Sequence, residues 1–234
     1  MNRILPLAAW EVRIQFRQGI YYAAAFVVVF MAVVLAQLPR AAVELLAPVM
    51  VFMDLSVIGV YFMAGMLYLE RQEGSLQALI TSPLEPSQYL AVKALSLTLL
   101  AVLSTAGVVL IAYGPGANWL PLLIGVALNS WMMTLYGFWL AARYASISEF
   151  VAPSLLYFVP TQLPLLAHFG IWTGWPLYLM PTQATMLLIE AGFRPIAPWQ
   201  WGYAVVYLAL AGAVTWRMAR RAFDRFVLGE EAAR

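Results

Sequence analysis

Residues 94–112 read ALSLTLLAVLSTAGVVLIA, a predominantly apolar run of nineteen residues that contains no charge and follows directly on Lys93. About 20 such residues, each rising 1.5 Å in a helix, cross the hydrocarbon layer of a bilayer, which is about 30 Å thick. The run lacks the alternating pattern of a barrel strand, and unpaired backbone amides are costly in lipid. It therefore predicts a transmembrane helix.

Five more runs of this kind lie along the chain, which is 64% hydrophobic and only 10% charged, with a mean hydropathy of +0.82. A water-soluble fold does not bury so large an apolar fraction. We therefore expect an all-α membrane protein, a single transmembrane domain over residues 1–234 with six spans. The predicted spans are residues 20–38, 45–69, 94–112, 120–142, 150–167 and 201–216.

Basic residues predict the orientation, because they concentrate on the cytoplasmic side of a membrane protein. With the N-terminus inside, only Arg40 and Arg194 fall outside. The inner segments then hold the other basic residues, namely Arg3, Arg13, Arg17, Arg71, Lys93, Arg143, Arg217, Arg220, Arg221, Arg225 and Arg234. We therefore expect a multi-pass protein of a plasma (inner) membrane, most simply bacterial, with both termini cytoplasmic, the C-terminal one as a tail over residues 217–234.

The first 19 residues predict a helix that lies in the inner membrane interface. Leu5, Ala9, Val12 and Phe16 share one face, and Glu11, Gln15 and Gln18 lie opposite. Trp10 suits the headgroup level, and Arg13 and Arg17 are placed to reach lipid phosphates. A plain cytoplasmic extension of the first span is the alternative.

The external residues 168–200 are too long for a turn and contain too many prolines and glycines for a span. Between these breaks, residues 182–191 form a short apolar stretch that predicts a helix. We expect a re-entrant or surface-lying helical hairpin, because non-spanning backbone at membrane depth must be buried in protein or line water.

The cytoplasmic residues 70–93 read ERQEGSLQALITSPLEPSQYLAVK. Gly74 is expected to end the second span's helix. Leu76, Leu79 and Ile80 then form an apolar stripe at helical spacing that Pro83 and Pro86 terminate, and Ser87 is placed to cap the next helix. The pattern predicts a short amphipathic helix with charged ends, whose leucines suit a groove in a cytoplasmic partner.

This segment resembles the link between the second and third spans in type-2 ABC-transporter permeases. That class carries Glu-Arg, then Gly-Ser/Thr-Leu-x-x-Leu, then Pro-Leu and a Lys that opens the third span. The matching positions here are Glu70, Arg71, Gly74, Ser75, Leu76, Leu79, Pro83, Leu84 and Lys93. Residues 178–183 (YLMPTQ) look like the class's motif after the fifth span, and residues 54–59 (DLSVIG) are similar to the fluoroquinolone-export permease subgroup.

The resemblance implies a dimeric permease, built from two copies or from this chain and a sibling, in which residues 74–80 dock a separate ATPase subunit. Coupling would involve Glu70, Arg71, Glu73, Gly74, Ser75, Leu76, Leu79, Ile80, Pro83 and Leu84. ATP and Mg²⁺ would be bound by the partner, because this chain has no phosphate-binding Gly-x-x-x-x-Gly-Lys loop. The implied cargo is a drug-like, lipidic or other amphiphilic small molecule.

Individual residues within the spans carry weaker indications of function than residues 70–93. Asp54 is an acidic residue inside a predicted span, where a charge is costly and usually functional, so it is a candidate pore or substrate contact together with Tyr61. The alternative for Asp54 is a carboxyl near the outer boundary that is hydrogen-bonded to Ser56 or to a neighbouring backbone group. His168 is interpreted as a satisfied external histidine, and Glu190 as a local pair with Arg194.

Other classes fit the composition poorly. Zero Cys and a single His argue against a metal site, and no basic tract suits nucleic acid. The spans lack facing acid–base or nucleophile pairs, so we expect no catalytic residues. An intramembrane enzyme is therefore a disfavoured alternative. A non-transporting scaffold that holds an ATPase at the membrane, in contact with lipid, remains an alternative.

Overall fold

The structure, a computed structural model, describes residues 4–74 and 85–228. Every regular element in these two stretches is helical, so the predicted all-α class is confirmed. The α-helices are α1 Ile4–Arg17, α2 Ile20–Ala36, α3 Arg40–Val57, α4 Met63–Gln72, α5 Pro86–Ala112, α6 Trp119–Ala141, α7 Ile147–Phe158, α8 Pro164–His168, α9 Pro181–Glu190 and α10 Pro198–Ala222. Shorter turns are π-helical at Ile58–Phe62 and Phe223–Leu228, and 3₁₀ at Val159–Gln162 and Trp175–Leu179.

Five helical stretches are long and apolar enough to cross a membrane. They are Arg40–Gln72, Ser87–Ala112, Trp119–Ala141, Ile147–His168 and Pro198–Arg225. A sixth arises if α1 and α2, which meet at an angle of 70°, count as one broken span. The bend falls at Gly19, whose φ of 82° lies in the left-handed region that glycine adopts without strain. Five or six spanning helices agree with the all-α membrane fold expected from hydropathy.

The start of α5 differs from the sequence-based prediction. The helix begins at Pro86, with Glu85 at the N-cap position, and Ser87 lies inside the first turn and donates to Glu85. The prediction that Ser87 caps this helix is therefore wrong. Proline is favoured in the first helical turn because the N–H it lacks would have no helical acceptor there, so Pro86 opens the helix.

Helix α6 is the centre of the described structure, packed against α5, α9, α10 and the π-helical turn of the second span. Its closest approach is to that turn. A Cβ added at Gly59 would lie 2.4 Å from the Met133 Cβ, and one added at Gly137 would lie 2.7 Å from the Val60 Cα. The two backbones therefore touch through glycines, beside a π-bulge of the kind that is frequent at functional sites.

Helix α7 contrasts with α6, because most of its surface is uncovered. Val151, Leu155 and Leu156 are exposed, Leu156 to 75%. Such a face requires lipid or another protein chain against it.

Substitution of Gly137 by Ala tests the backbone contact. The added methyl meets the Val60 backbone, which cannot move aside as a side chain can, so we expect a loss of about 1–3 kcal/mol in unfolding free energy. Thermal unfolding of the detergent-purified protein measures it. Gly65→Ala on the same span is the control, because nothing lies within 4 Å of its added Cβ; equal melting temperatures for the two variants would contradict the contact.

Candidate functional site

The only lysine of the chain is buried between two carboxylates. The side chain of Lys93, near the start of α5, is 2% exposed. Its Nζ donates to Glu11 Oε1 of α1 at 2.6 Å and also to Glu70 Oε1 of α4. One ammonium thus joins three helices that are distant in sequence.

Neutral donors complete this cluster. The Tyr89 hydroxyl donates to Glu70 Oε2 at 2.6 Å, and its ring lies 5.5 Å from the Lys93 ammonium. The Gln15 amide donates to Ser96 Oγ at 2.7 Å and to Glu11 Oε1 at 3.3 Å. Buried charges are tolerated when they are paired and their remaining hydrogen-bonding positions are filled. We refer to Glu11, Gln15, Glu70, Tyr89, Lys93 and Ser96 as the inner cluster.

The inner cluster lies at both ends of the predicted coupling segment. Glu70 comes four residues before Gly74, where a φ of 69° follows the end of α4, and Lys93 lies within the first turns of α5. Both stems of residues 75–84 are therefore tied to each other and to α1. The predicted contact residues Ser75, Leu76, Leu79, Ile80, Pro83 and Leu84 lie outside the described residues.

Arg71 makes a second connection at the same end of the second span. Its guanidinium donates to the Tyr144 carbonyl at 2.6 Å and to the Ala142 carbonyl at 3.3 Å, just beyond α6. The Tyr68 hydroxyl donates to the Ala141 carbonyl at 3.0 Å. A cation is favourable at a helix C-terminus because the last carbonyls lack helical donors. The second span is thereby fixed to α6.

Other predicted residues near the inner cluster point outward. Trp10, Arg13 and Arg17 are exposed on α1, and Glu73 is exposed after α4. Glu11 and Gln15 instead face the protein, so the polar side of α1 packs against α4 and α5. Sequence reasoning singled out Glu70 and Lys93 but missed Glu11, Gln15, Tyr89 and Ser96. The available signal was a Glu and a Gln spaced i, i+4 on α1, in a chain that has one lysine.

The two candidate pathway residues lie on different parts of the second span, Asp54 on α3 and Tyr61 in the π-helical turn. Asp54 is half-buried, and Ser56 donates to the Phe52 carbonyl rather than to Asp54, so the predicted bond between Asp54 and Ser56 is wrong. The Tyr61 ring packs edge-on against Phe150 and Phe158. A role for either residue in the transport pathway stays a prediction.

A second ion cluster lies at the opposite end of the helices. His168 Nδ1 is 2.5 Å from Glu190 Oε1, its Nε2 is 2.8 Å from the Leu45 carbonyl, and Arg194 is 2.6 Å from Glu190 Oε2. We refer to His168, Glu190 and Arg194 as the outer cluster, which ties α8 and α9 to the start of the second span. The predicted pairing of Glu190 with Arg194 is present.

The architecture defines the class. An all-helical chain with five or six helices able to cross a bilayer, tied at each end by buried ion pairs, is a polytopic membrane protein of the transporter kind. The family profile described as "Fluoroquinolones export permease protein family" matches residues 2–231. The chain therefore belongs to the fluoroquinolones export permease family.

Two curated relatives agree with that assignment. Both are named fluoroquinolones export permease protein and come from Mycobacterium tuberculosis, one from strain CDC 1551 / Oshkosh and one from strain ATCC 25618 / H37Rv. Each is 32% identical over 231 residues, which cover 97% of this chain and 98% of the relative. The aligned region thus extends over almost the whole chain.

Removal of the buried ammonium tests the inner cluster. Lys93→Met leaves the Glu11 and Glu70 carboxylates buried without their cation, so we expect a loss of about 3–5 kcal/mol in stability. Thermal unfolding in lipid nanodiscs measures it. The triple variant Lys93→Met/Glu11→Gln/Glu70→Gln should recover most of the loss, because no unpaired charge remains.

Arg40→Met serves as the matched control, since that arginine pairs with Glu44 in solvent and its loss should leave the melting temperature unchanged. If the triple variant is no more stable than Lys93→Met, the charges do not account for the effect.

The outer cluster predicts acid sensitivity. Burial raises the pKa of the Glu190 carboxyl, but hydrogen bonds from His168 and Arg194 outweigh it, and the net pKa lies below the ordinary value of 4.5. A lowered folded-state pKa stabilises the protein fully above the unfolded value and less as pH falls through the folded value. Melting temperatures should therefore fall below about pH 4.5. They should fall less steeply in Glu190→Gln, whereas the exposed control Glu44→Gln should follow the wild type.

Proposed function

We propose that this chain is the membrane-spanning subunit of an ATP-driven ABC exporter. ATP and Mg²⁺ are bound by a separate ATPase subunit, and two permease chains, identical or siblings, enclose the pathway. The cargo is a fluoroquinolone or another flat amphiphilic drug. Membership of the export permease family and the printed names of the two relatives support this proposal.

The inner cluster is the observation that carries the mechanism. A partner that moves residues 75–84 pulls on two stems, and Glu70 and Lys93 hold those stems to each other and to Glu11 of α1. Separation of a buried ion pair is costly, so the stems and α1 move as one unit. Arg71 carries the same displacement to α6 through the Ala142 and Tyr144 carbonyls.

ATP supplies the directionality in this proposal. A ligand shifts a conformational equilibrium only by binding one state more tightly than the other. ATP that closes two ATPase subunits around itself favours the permease state whose coupling segments are close together. Because the inner cluster ties the stems of the coupling segment to α1 and the second span, a change in that distance also moves both helices.

Orientation and assembly follow from charge and exposure. The excess of arginines near the inner cluster supports a cytoplasmic placement of both termini and of residues 70–93. The uncovered apolar face of α7 supplies a surface that lipid or the second permease chain covers. Asp54 and Tyr61 are proposed pathway residues on the second span.

Introduction of charge into the coupling segment tests the proposal. The permease is coexpressed with a candidate ABC ATPase from the same organism, and copurification and drug-stimulated ATP hydrolysis are measured in nanodiscs. Leu76→Glu/Leu79→Glu should abolish both, because it places charge in the apolar stripe that contacts the partner. Leu179→Glu, an exposed leucine at the proposed external end, should retain both.

The outcomes separate the alternatives. Hydrolysis and export that persist in Leu76→Glu/Leu79→Glu contradict the coupling role of the segment. Stable association with the ATPase but no drug-dependent hydrolysis in the wild type identifies a scaffold instead of an exporter.

A further inference from the structure

A cavity of about 580 Å³ lies between α6, the 3₁₀ turn after α7, the start of α9 and α10. This volume is within the range of sites that bind drug-sized molecules, roughly 300–1,000 Å³. The candidate pathway residues Asp54 and Tyr61 do not line it. The cavity is thus distinct from those two residues, and Leu156 of the uncovered α7 face forms part of its wall.

The wall chemistry suits a flat aromatic molecule. Tyr136, Tyr157 and Tyr207 line the cavity together with methionines that include Met132 and Met133. Aromatic rings stack on flat π-systems, and methionine adapts its shape and packs favourably against ring edges. The described lining residues carry no charge.

One polar group in the wall lacks a partner. Thr182 is 4% exposed and lines the cavity, yet within the described ranges 4–74 and 85–228 its hydroxyl makes no hydrogen bond. Two other wall threonines are satisfied: Thr161 donates to the Phe158 carbonyl at 2.6 Å and Thr215 to the Ala211 carbonyl at 3.0 Å. The Thr182 hydroxyl therefore lies in the cavity wall with no described acceptor or donor from the protein, and it is available to a ligand.

Thr182 also lies at the N-terminus of α9, a helix of ten residues whose other residues are buried in the protein except Pro181. In α9 the first residue, Pro181, has no N–H, and the Gln183 N–H donates to the Met180 carbonyl at 3.0 Å. The first turn therefore presents the Thr182 N–H and the positive end of the helix dipole. The Thr182 hydroxyl and the N-terminus of α9 together favour a ligand with a hydrogen-bond acceptor, and most strongly a ligand with a carboxylate. A lipid acyl chain would leave both unsatisfied.

We infer that this cavity binds a planar aromatic amphiphile, with its carboxylate or carbonyl at Thr182 and its ring system between the tyrosines and methionines. The inference rests on the proposed export function and assigns the recognition of the drug to α6, α9 and α10. It places the acidic group of the drug at the N-terminus of α9.

A comparison of two probes tests the polar anchor. Binding of radiolabelled norfloxacin, which carries a carboxylate, and of its decarboxylated analogue is measured with the permease–ATPase complex in nanodiscs. Thr182→Val keeps the side-chain shape and removes the hydroxyl, so it should weaken norfloxacin binding about tenfold and leave the analogue unchanged. Thr161→Val is the matched control and should affect neither probe, since its hydroxyl is already satisfied.

A second variant tests the cavity itself. Ala211→Phe fills the space from α10 and should abolish binding of both probes, whereas Ala213→Phe, at an exposed position on the same helix, should leave binding intact. Copurification with the ATPase should be unchanged in all these variants, because none of the substituted residues belongs to the predicted coupling segment.

Two results overturn the inference. One is a Thr182→Val variant in which the affinities for both probes change equally, or neither changes. The other is an Ala211→Phe variant that binds norfloxacin with the affinity of the wild type. Drug-stimulated hydrolysis that persists in those variants shows that the proposed export function stands while the site lies elsewhere. Failure of the wild type to associate with any ATPase contradicts the proposed function, whatever the cavity binds.

Discussion

The inner end of the molecule depends on the salt bridges that the Lys93 ammonium makes. It is buried between Glu11 and Glu70, so α1, α4 and α5 cannot separate without exposing charge to a poorly solvating interior. Buried ion pairs contribute little net stability over apolar packing, but they impose specific geometry when partners are fully hydrogen-bonded. Tyr89 and Gln15 supply those hydrogen bonds here. The cluster therefore sets the relative positions of three helices around residues 75–84.

Polar contacts also set the position of α9, a helix too short to cross the membrane. The Thr185 hydroxyl donates to Asn129 Oδ1 of α6 at 2.9 Å, in the protein interior. An added Cβ at Gly125 would lie 2.6 Å from the Leu188 Cβ, so α6 and α9 approach closely at that glycine. Small residues permit such approach between helices, and interhelical hydrogen bonds then select the register. The outer cluster completes the attachment through Glu190. The N-terminus of α9 is consequently held in the cavity wall by contacts made further along the helix.

The sequence was sufficient for the helical class, because long uncharged runs have one economical structure in lipid. It also located the short helix at residues 182–191, which the structure has at Pro181–Glu190, since prolines and glycines bracket it. It could not predict that Glu11 faces inward. Helical periodicity separates the polar and apolar faces of α1 but does not say which one meets protein when lipid surrounds the helix. The sequence also could not predict that Arg71 bonds carbonyls beyond α6, because every residue has a backbone carbonyl and its identity does not show which one accepts.

Met133 joins the two functional parts of the molecule physically. Its backbone lies against Gly59 in the π-helical turn of the second span, and Met133 also lines the cavity. The same span ends at Glu70 and Arg71, within the inner cluster and its contact to α6. A close-packed contact between backbones transmits displacement because it has no compliant side chain to absorb it. In the proposed exporter, movement of the coupling stems therefore reaches the cavity wall along α6 by two routes, the Arg71 contact at its end and the glycine contact at Gly59. The second of these contacts lies inside the π-helical turn Ile58–Phe62, and such turns are frequent at functional sites.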